Sequence, residues 1–449
     1  MPRKRSSPRW ERHGVRGRLS SLRTARLRAA IPALLPIGCA LLLAAAPPLA
    51  AQVGDTLPGG SGESLSVVLL TVGPGEAIWE KFGHNAIWIR DPGTGTDVAY
   101  NWGMFEFAAE DFLPRLVKGE MLYWMAGYDA GATIAAYERA RRDVYAQELF
   151  LTPGQKLELV RLLRETDTDQ NRFYAYDYYL DNCSTRVRDA LDQVLGGRVR
   201  AALGGLETEL TWRDHARRIL RTTLWAYLGM ELALGSPTDR TITAWEEAFL
   251  PLRLMDRLRA VEVPDGSGGE VPLVVREVQL VDGGRPPTPD KPPSWMGWFL
   301  VAGALGGLLM ALPAWTSPQG ARGGLGRGAA VLAAGWSLVA GMAGLLLLLA
   351  WLFTDHTFWF RNENLLQTSP LSLLLVPALA ASALGRPLPR WGSVVAGGVL
   401  GLSLLGFLAQ ALPGLDQVNG EIIAFALPMH LAVAWLALHA RRHGSAAAS

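Results

Sequence analysis

The last third of the chain constrains it most. Apolar runs at about 295–314, 329–353, 370–385, 391–411 and 422–440 reach, with the third on the short side, the length that crosses a hydrocarbon core. In lipid the backbone can satisfy its polar groups only inside helices or a closed barrel, and runs this continuous fit helices. The segment 295–440 is therefore expected to be an all-α bundle of about five transmembrane helices, with 441–449 as a cytoplasmic tail.

The other end of the chain has the layout of a secretory signal. Residues 1–28 are rich in arginine, 30–46 form an apolar run too short for a comfortable span, and the small residues of PPLAAQ follow. A signal peptide over 1–51, cleaved near Ala50 or Ala51, is expected. Lipoprotein processing at Cys39 is the competing reading, but Pro36 and Ile37 ahead of Gly38 suit it poorly. The balance of 43 basic and 41 acidic residues owes its excess to this leader, so nothing in the rest suggests a nucleic-acid partner.

Between these ends lies an expected exported domain, 52–261. LSVVLLTVG (65–73) reads as a buried strand, and HNAIWIRD and DVAYNWG flank PGTGT as a hairpin. Thr152, Pro153 and Gln155 supply an N-cap, a proline at the first helical position and a capping-box partner ahead of LELVRLLRE. A strand-rich start followed by a helix-rich middle makes the class α+β. Residues 262–294 read as a Gly/Pro-rich linker with a potential strand pair, ending in the semi-rigid tether GGRPPTPDKPPS.

Orientation has an independent signature. With the domain exported, the inward-facing connections carry Arg322, Arg327, Arg386, Arg390, Arg441 and Arg442. The outward ones carry Asp355, Glu363, Asp416 and Glu421 against Arg361 alone. This is the positive-inside pattern, and it places the chain in an inner membrane with its folded domain in the periplasm.

The chain has only two cysteines, and cleavage of the leader removes Cys39. Cys183 is then a single thiol in an oxidising compartment, either a buried small hydrophobe or a reactive group. Its position favours reactivity. Asp181 and Asn182 are good N-cap residues, Val187, Ala190, Leu191, Val194 and Leu195 recur at helical spacing, and Gly196 and Gly197 end the run. The thiol thus falls in the first turn of a helix, where the macrodipole and unpaired N–H groups favour thiolate and can hold an oxyanion.

Such a nucleophile needs a base. Of the seven histidines, only His84 and His215 fall in the exported domain. His215, in WRDHARRIL, reads as solvated, whereas His84 opens a strand after Phe82-Gly83. Asn101 on the return strand is the choice for orienting the imidazole, with Asp97 and Asp177 as competitors. No metal-ligand spacing and no phosphate loop is present, so neither metal nor cofactor is expected. His356, Asn362 and Asn364, on an outer loop, are either headgroup contacts or ordinary loop polarity.

GHNAIWIRD, AYNWGMFEF, FLPRLVKGEMLYW, NRFYAYDYYLDNCSTRVRD and EEAFLP together resemble the Lnb N-terminal periplasmic domain over roughly 65–255, and HTFWFRNENLLQTSPL resembles a loop of its membrane-anchored members. The resemblance implies a permuted papain-like fold, histidine strand before cysteine helix, similar in layout to lecithin:retinol acyltransferase-like enzymes. It implies His84 as base and Cys183 as nucleophile. It further implies an acyltransferase that moves a fatty acyl group from a membrane phospholipid, through a Cys183 thioester, to the N-terminal amine of a diacylglyceryl lipoprotein. A papain-like hydrolase of lipid esters or peptidoglycan amides and a non-enzymatic envelope scaffold stay open as alternatives.

Overall fold

The computed structural model describes residues 61–445 apart from 107, 109–110, 317–322 and 416; the expected signal peptide, with Cys39 and its cleavage site, lies outside the described residues. The folded domain begins with β1 (Ser66–Val72), β2 (His84–Asp91), β3 (Thr96–Met104), α1 (Phe112–Lys118), β4 (Leu122–Asp129), α2 (Ala130–Arg139) and β5 (Val144–Leu149). It continues through α3 (Pro153–Thr166), β6 (Phe173–Ala175), α4 (Cys183–Val194), α5 (Arg198–Leu203), β7 (Glu207–Thr211), α6 (Trp212–Leu220), α7 (Leu224–Ala233) and β8 (Thr241–Thr243). Helices α8 (Ala244–Glu247) and α9 (Pro251–Leu258) and strands β9 (Glu262–Pro264), β10 (Glu270–Pro272) and β11 (Val274–Val281) complete it.

Seven strands form one antiparallel sheet in the order β11-β5-β1-β2-β3-β4-β6. β1 is nearly continuously apolar because both of its faces are covered. On one face Leu69, Ile87, Tyr100, Trp102 and Met125 pack with Leu159 and Leu163 of α3, Val187 and Leu191 of α4, and Leu254 and Leu258 of α9. On the other, Val68, Leu70, Ala86 and Ala99 pack beneath Ala130, Ile134 and Tyr137 of α2. The hairpin forms over β2 and β3, with Asp91 opposite Thr96. The capping box forms at α3: Gln155 N–H donates to Thr152 Oγ1 at 3.4 Å and Thr152 N–H to Gln155 Oε1 at 2.9 Å.

The sheet continues past 261. β9 and β10 pair with one another, as the potential strand pair suggests, but β11 leaves that pair and lies along the edge of β5. An exposed β5 edge would present unpaired backbone groups, and β11 covers them. Local sequence says nothing of this partner because the pairing spans more than a hundred residues. Glu277 of β11 fixes it further, accepting from Gln147 Nε2 at 2.7 Å and from Arg259.

The C-terminal helices are α10 (Met296–Thr316), α11 (Gly324–Phe353), α12 (Ser372–Ala383), α13 (Arg390–Ala409) and α14 (Gly420–Ser445). Among the described residues four of them, α10, α11, α13 and α14, are long and apolar enough to cross a membrane unaided and α12 is a shorter apolar helix, so the expected bundle of about five helices, its third run short, is what the chain forms. α12 has 12 residues, which rise about 18 Å, short of a hydrocarbon core of about 30 Å. The chain makes up the distance with irregular backbone. Residues 367–371 run against α11, where Gly344 sits directly under Thr368 and Gly341 under Leu373. Ser403 of α13 gives its hydroxyl to Gln367 Oε1 at 2.5 Å and takes Gln367 Nε2 on its carbonyl at 3.0 Å. Non-helical backbone is tolerated at this depth when protein surrounds it.

The folded domain docks on the bundle through the C-terminal end of α7. Asn364 Nδ2 donates to Glu231 O and Leu232 O at 2.8 and 3.1 Å, Asn362 Nδ2 to Leu232 O and Ala233 O at 2.7 and 3.0 Å, and Gln417 Nε2 to Leu234 O at 3.0 Å. Asn362 and Asn364 are thus buried docking residues, which resolves the alternatives left open for them. Tyr227 adds a hydrogen bond to Glu421 at 2.8 Å. Each neutral hydrogen bond of this kind contributes about 1 kcal/mol net, and an orphaned buried carbonyl costs about 1–3 kcal/mol. Asn362→Ala/Asn364→Ala is therefore expected to lower the melting temperature of the detergent-solubilised protein by several degrees and to speed proteolysis in the Pro-rich segment 285–293, measured by a thermal-shift scan and timed limited digestion.

Candidate active site

The site is built where β2 begins and α4 begins. α4 starts at Cys183 because Asn182 caps it: Asn182 Oδ1 accepts from Ser184 N and Thr185 N at 2.9 and 3.0 Å, and Thr185 Oγ1 answers by accepting Asn182 N–H at 2.8 Å. The cap is itself fixed, since Asn182 Nδ2 donates to Tyr178 O and Phe249 O, both at 3.0 Å. Ser184 then ties α4 to β2 by giving its hydroxyl to Asn85 Oδ1 at 2.9 Å or to Ala248 O at 2.7 Å. At the far end Gly196 and Gly197 take φ of +64° and +85°, ending the helix as their sequence suggests.

His84 is the first residue of β2, and its Nε2 lies 3.0 Å from Asn101 Oδ1. Asn101 pairs with Ala86 in the ladder, two residues along from His84, so its side chain reaches the imidazole diagonally on the same face. Asn101 Nδ2 donates to Ala99 O at 2.9 Å, which assigns the oxygen to the histidine. Nε2 therefore carries the hydrogen, and Nδ1 is the basic nitrogen. The two competitors lie elsewhere: Asp97 accepts from Trp88 Nε1 at the far end of the hairpin, and Asp177 accepts Tyr179 N and Leu180 N at 2.8 and 2.9 Å.

Cys183 meets the same strand end. The backbone N–H of Asn85, the residue after His84, points to the sulfur, as do the N–H groups of Cys183 and Ser184. Gly103, in a bulge of β3, lies against the helix start, and its φ of +90° is what asks for glycine there, since a Cβ would stand an ordinary 3.5 Å from Cys183 Cβ. Gly103 is one functional position that sequence reading misses; an isolated glycine in a strand is its only signal.

Arg142 is another. It is buried, gives Nε–H to Gly73 O at 3.0 Å, faces Glu80 at 3.6 Å, and stands over the Tyr137 ring at 5.1 Å. Tyr137 is in turn 6.3 Å from the His84 ring. Arg142 Nη2 has no hydrogen-bond partner, which leaves a guanidinium N–H beside the site. In the sequence ERARRD this residue is indistinguishable from solvated charge.

Electrostatics modify the expectation of a ready thiolate. Crowding by protein pushes the Cys183 thiol above its ordinary value, and the three N–H groups and the Arg142 charge offset this only in part. Burial likewise lowers His84 to about 4, against the Asn101 bond, with Arg142 acting in the same sense as burial. Both groups are therefore neutral at pH 7. The thiol keeps some accessible surface, so it is reachable but uncharged.

His215, expected to be solvated, is fully buried; this is a correction. Its Nδ1 accepts from Arg218 Nε at 2.9 Å, its Nε2 faces Glu247 at 3.3 Å, and its ring meets Phe249 at 5.9 Å. The basic face of α6 turns inward because Glu247 and Glu231 wait there. Among the described residues no group of histidine, cysteine and carboxylates could hold a metal ion.

Comparison with known families gives two matches. The Lnb N-terminal periplasmic domain matches residues 61–218, and the Lnb transmembrane domain matches 326–442; together they cover more than half of the chain. No curated protein and no solved structure matches it.

A raised thiol pKa has a kinetic signature. Alkylation of Cys183 by iodoacetamide is expected to accelerate about tenfold per pH unit through neutrality and up to pH 9, because each unit raises the thiolate fraction tenfold below the pKa. Arg142→Gln, which removes an offsetting charge, should slow it further at pH 7. A rate already flat between pH 5 and 7 would instead mean a preformed thiolate–imidazolium pair.

Proposed function

From the premise that the chain belongs to the Lnb family of membrane-bound, lipoprotein-modifying enzymes, we propose that it is a thiol acyltransferase of the bacterial inner membrane, acting from the periplasmic side on a lipoprotein N-terminus. The observation that carries this reading is the His84–Asn101 hydrogen bond of 3.0 Å beside the capped helix that starts at Cys183. It sets the imidazole with Nδ1 free at the strand end where the thiol arrives, the arrangement of a permuted papain-like nucleophile and base.

The reaction proceeds in two halves. His84 Nδ1 takes the Cys183 proton as Sγ attacks the ester carbonyl of a membrane diacylglyceryl lipid. The tetrahedral oxyanion is stabilised by the N–H groups of Asn85 and Cys183 and by the Arg142 charge. Collapse breaks the ester C–O bond, the leaving alkoxide takes the proton from His84, and an acyl thioester remains. The lipoprotein's α-amine then attacks the thioester and loses its proton to His84. The second collapse breaks the C–S bond, leaving the amide product and restoring the thiol with that proton. Burial that lowers His84 to about 4 leaves the imidazole in its free-base form at neutral pH, and the proton moves as Sγ attacks, so that no thiolate accumulates beforehand. Asn101 holds the Nε2–H and prevents the ring from turning.

A phospholipid and the diacylglyceryl group of the lipoprotein itself offer the same ester, and product mass separates them. Intact-mass analysis of lipoprotein N-terminal peptides, with the protein and its Cys183→Ala variant in vesicles, is the test. N-acylation with both O-acyl groups kept identifies a phospholipid donor; N-acylation with one O-acyl group lost identifies the lipoprotein as its own donor. Cys183→Ala and His84→Ala should each lower product at least a thousandfold, and Asn101→Ala about ten- to a hundredfold. Release of free fatty acid without N-acylation, or equal N-acylation by Cys183→Ala, would overturn the proposal.

A further inference from the structure

An acyl chain held in a bilayer has to reach a sulfur in a folded domain, and one face of that domain is built differently from the rest. α1 exposes Leu113 and Val117, each 67% accessible, and Leu116 beside them, interleaved with Arg115 and Lys118. This helix is fastened to the end of a membrane span: Asp355 N–H, just past the C-terminus of α11, donates to Lys118 O at 2.7 Å, and His356 Nε2 bonds Leu116 O at 3.1 Å. Gly119, at φ +78°, lies against His356 so closely that a Cβ would meet its backbone N at 2.9 Å. Leu352 and Phe353, just before the fastening at Asp355, are exposed as well, so apolar surface is presented on both sides of it.

A cavity of about 200 Å³ opens beside α1, walled by Phe112, Met121, Tyr123 and Trp124 with exposed Leu122 and Phe173, and bordered as well by the charged Glu106, Asp111 and Arg115, the last two paired with each other. Two of its walls belong to a row of stacked rings. Phe112 and Phe105 are 6.0 Å apart, Phe105 and Tyr123 5.0 Å, and Tyr123 and Tyr176 4.1 Å. Tyr176 and Cys183 pack on the same core cluster. The row thus runs from the membrane-fastened helix to the surroundings of the nucleophile. Ordinary core packing explains stacked rings, but not the exposed Leu122 and Phe173 at their outer end, nor the exposed Leu113 and Val117 on the helix beside it, which is fastened to a span. Exposed apolar residues with interleaved basic ones suit a leaflet, the bases reaching lipid phosphates while the apolar groups sink below them.

We propose that α1 and the rim of this cavity dip into the outer leaflet and form the entrance by which the hydrocarbon chain of a membrane lipid passes along the Phe112–Phe105–Tyr123–Tyr176 row to Cys183. The inference rests on the acyl-transfer reading for its chemistry, but the membrane contact is testable without it.

The test uses full-length protein in phosphatidylglycerol/phosphatidylethanolamine vesicles, with a photoreactive benzoylphenylalanine at 113, at 117, or at 275. Val275 is an exposed apolar residue on β11, at the opposite edge of the sheet. Illumination should give lipid adducts at 113 and 117 at least tenfold above those at 275, by mass spectrometry, and equally in a Cys183→Ala background where no acyl transfer occurs. Equal yields at all three positions would overturn the entrance even if transfer is real. Conversely, adducts at 113 and 117 together with an inactive wild-type protein would uphold the entrance while the acyl-transfer reading fails. A second readout is the ratio of turnover with vesicle lipid to turnover with a water-soluble butyryl thioester: Leu113→Asp/Val117→Asp should lower it at least tenfold, and an unchanged ratio would also overturn the proposal.

Discussion

The end of one helix decides how this protein works as a unit. The carbonyls of Glu231, Leu232 and Ala233, at the C-terminus of α7, are met by the amides of Asn362 and Asn364, and Leu234 O is shared between Arg213 Nη2 of the folded domain at 2.9 Å and Gln417 Nε2 of a second bundle loop at 3.0 Å. A helix leaves its last carbonyls unpaired by geometry, and burying them unpaired would be costly. The folded domain and the membrane bundle each present half of a hydrogen-bonded joint, so the joint specifies one placement rather than a loose tether. The Pro-rich segment then spans a distance already fixed by the joint.

That joint brings the thiol region to a defined place beside the end of α11, where α1 is held by backbone contacts from Asp355 and His356. Within the site the balance is between desolvation and local donors. The helix start offers N–H groups and Arg142 offers charge, yet burial dominates and both Cys183 and His84 are neutral. Neutral partners suit the apolar chain proposed as substrate, since a permanent ion pair would have to be desolvated each time such a chain arrived.

The membrane half follows the same accounting. α12 is too short to cross alone, and the chain closes the gap with irregular backbone from Gln367 to Leu371. Ser403 and the glycines Gly341 and Gly344 make room and supply partners for it. Glycine at those two positions reflects close approach, as a Cβ on Gly344 would overlap Thr368 O.

Much was legible in the sequence because its cause is local. β1, the hairpin, the capping box at Thr152 and the Asn182 cap that places Cys183 in a first turn all follow from residues within a few positions of one another, as does the apolar length of α10, α11, α13 and α14. What is set by distant partners was not legible. β11 reads as linker until the edge of β5 is known, His215 reads as solvated until Glu247 is known, and Arg142 reads as surface charge until Tyr137 and Glu80 surround it. Asn101 could be named from the hairpin, but its diagonal reach to His84, and hence the free Nδ1, depended on the register of β2 with β3. The sequence by itself determined the helix that begins at Cys183 and the apolar helices of membrane-spanning length, since capping and hydrophobic length act along the chain. Only the tertiary structure decided the charge state of the site and the docking of the folded domain on the helical bundle, since desolvation and docking act between segments that the chain keeps far apart.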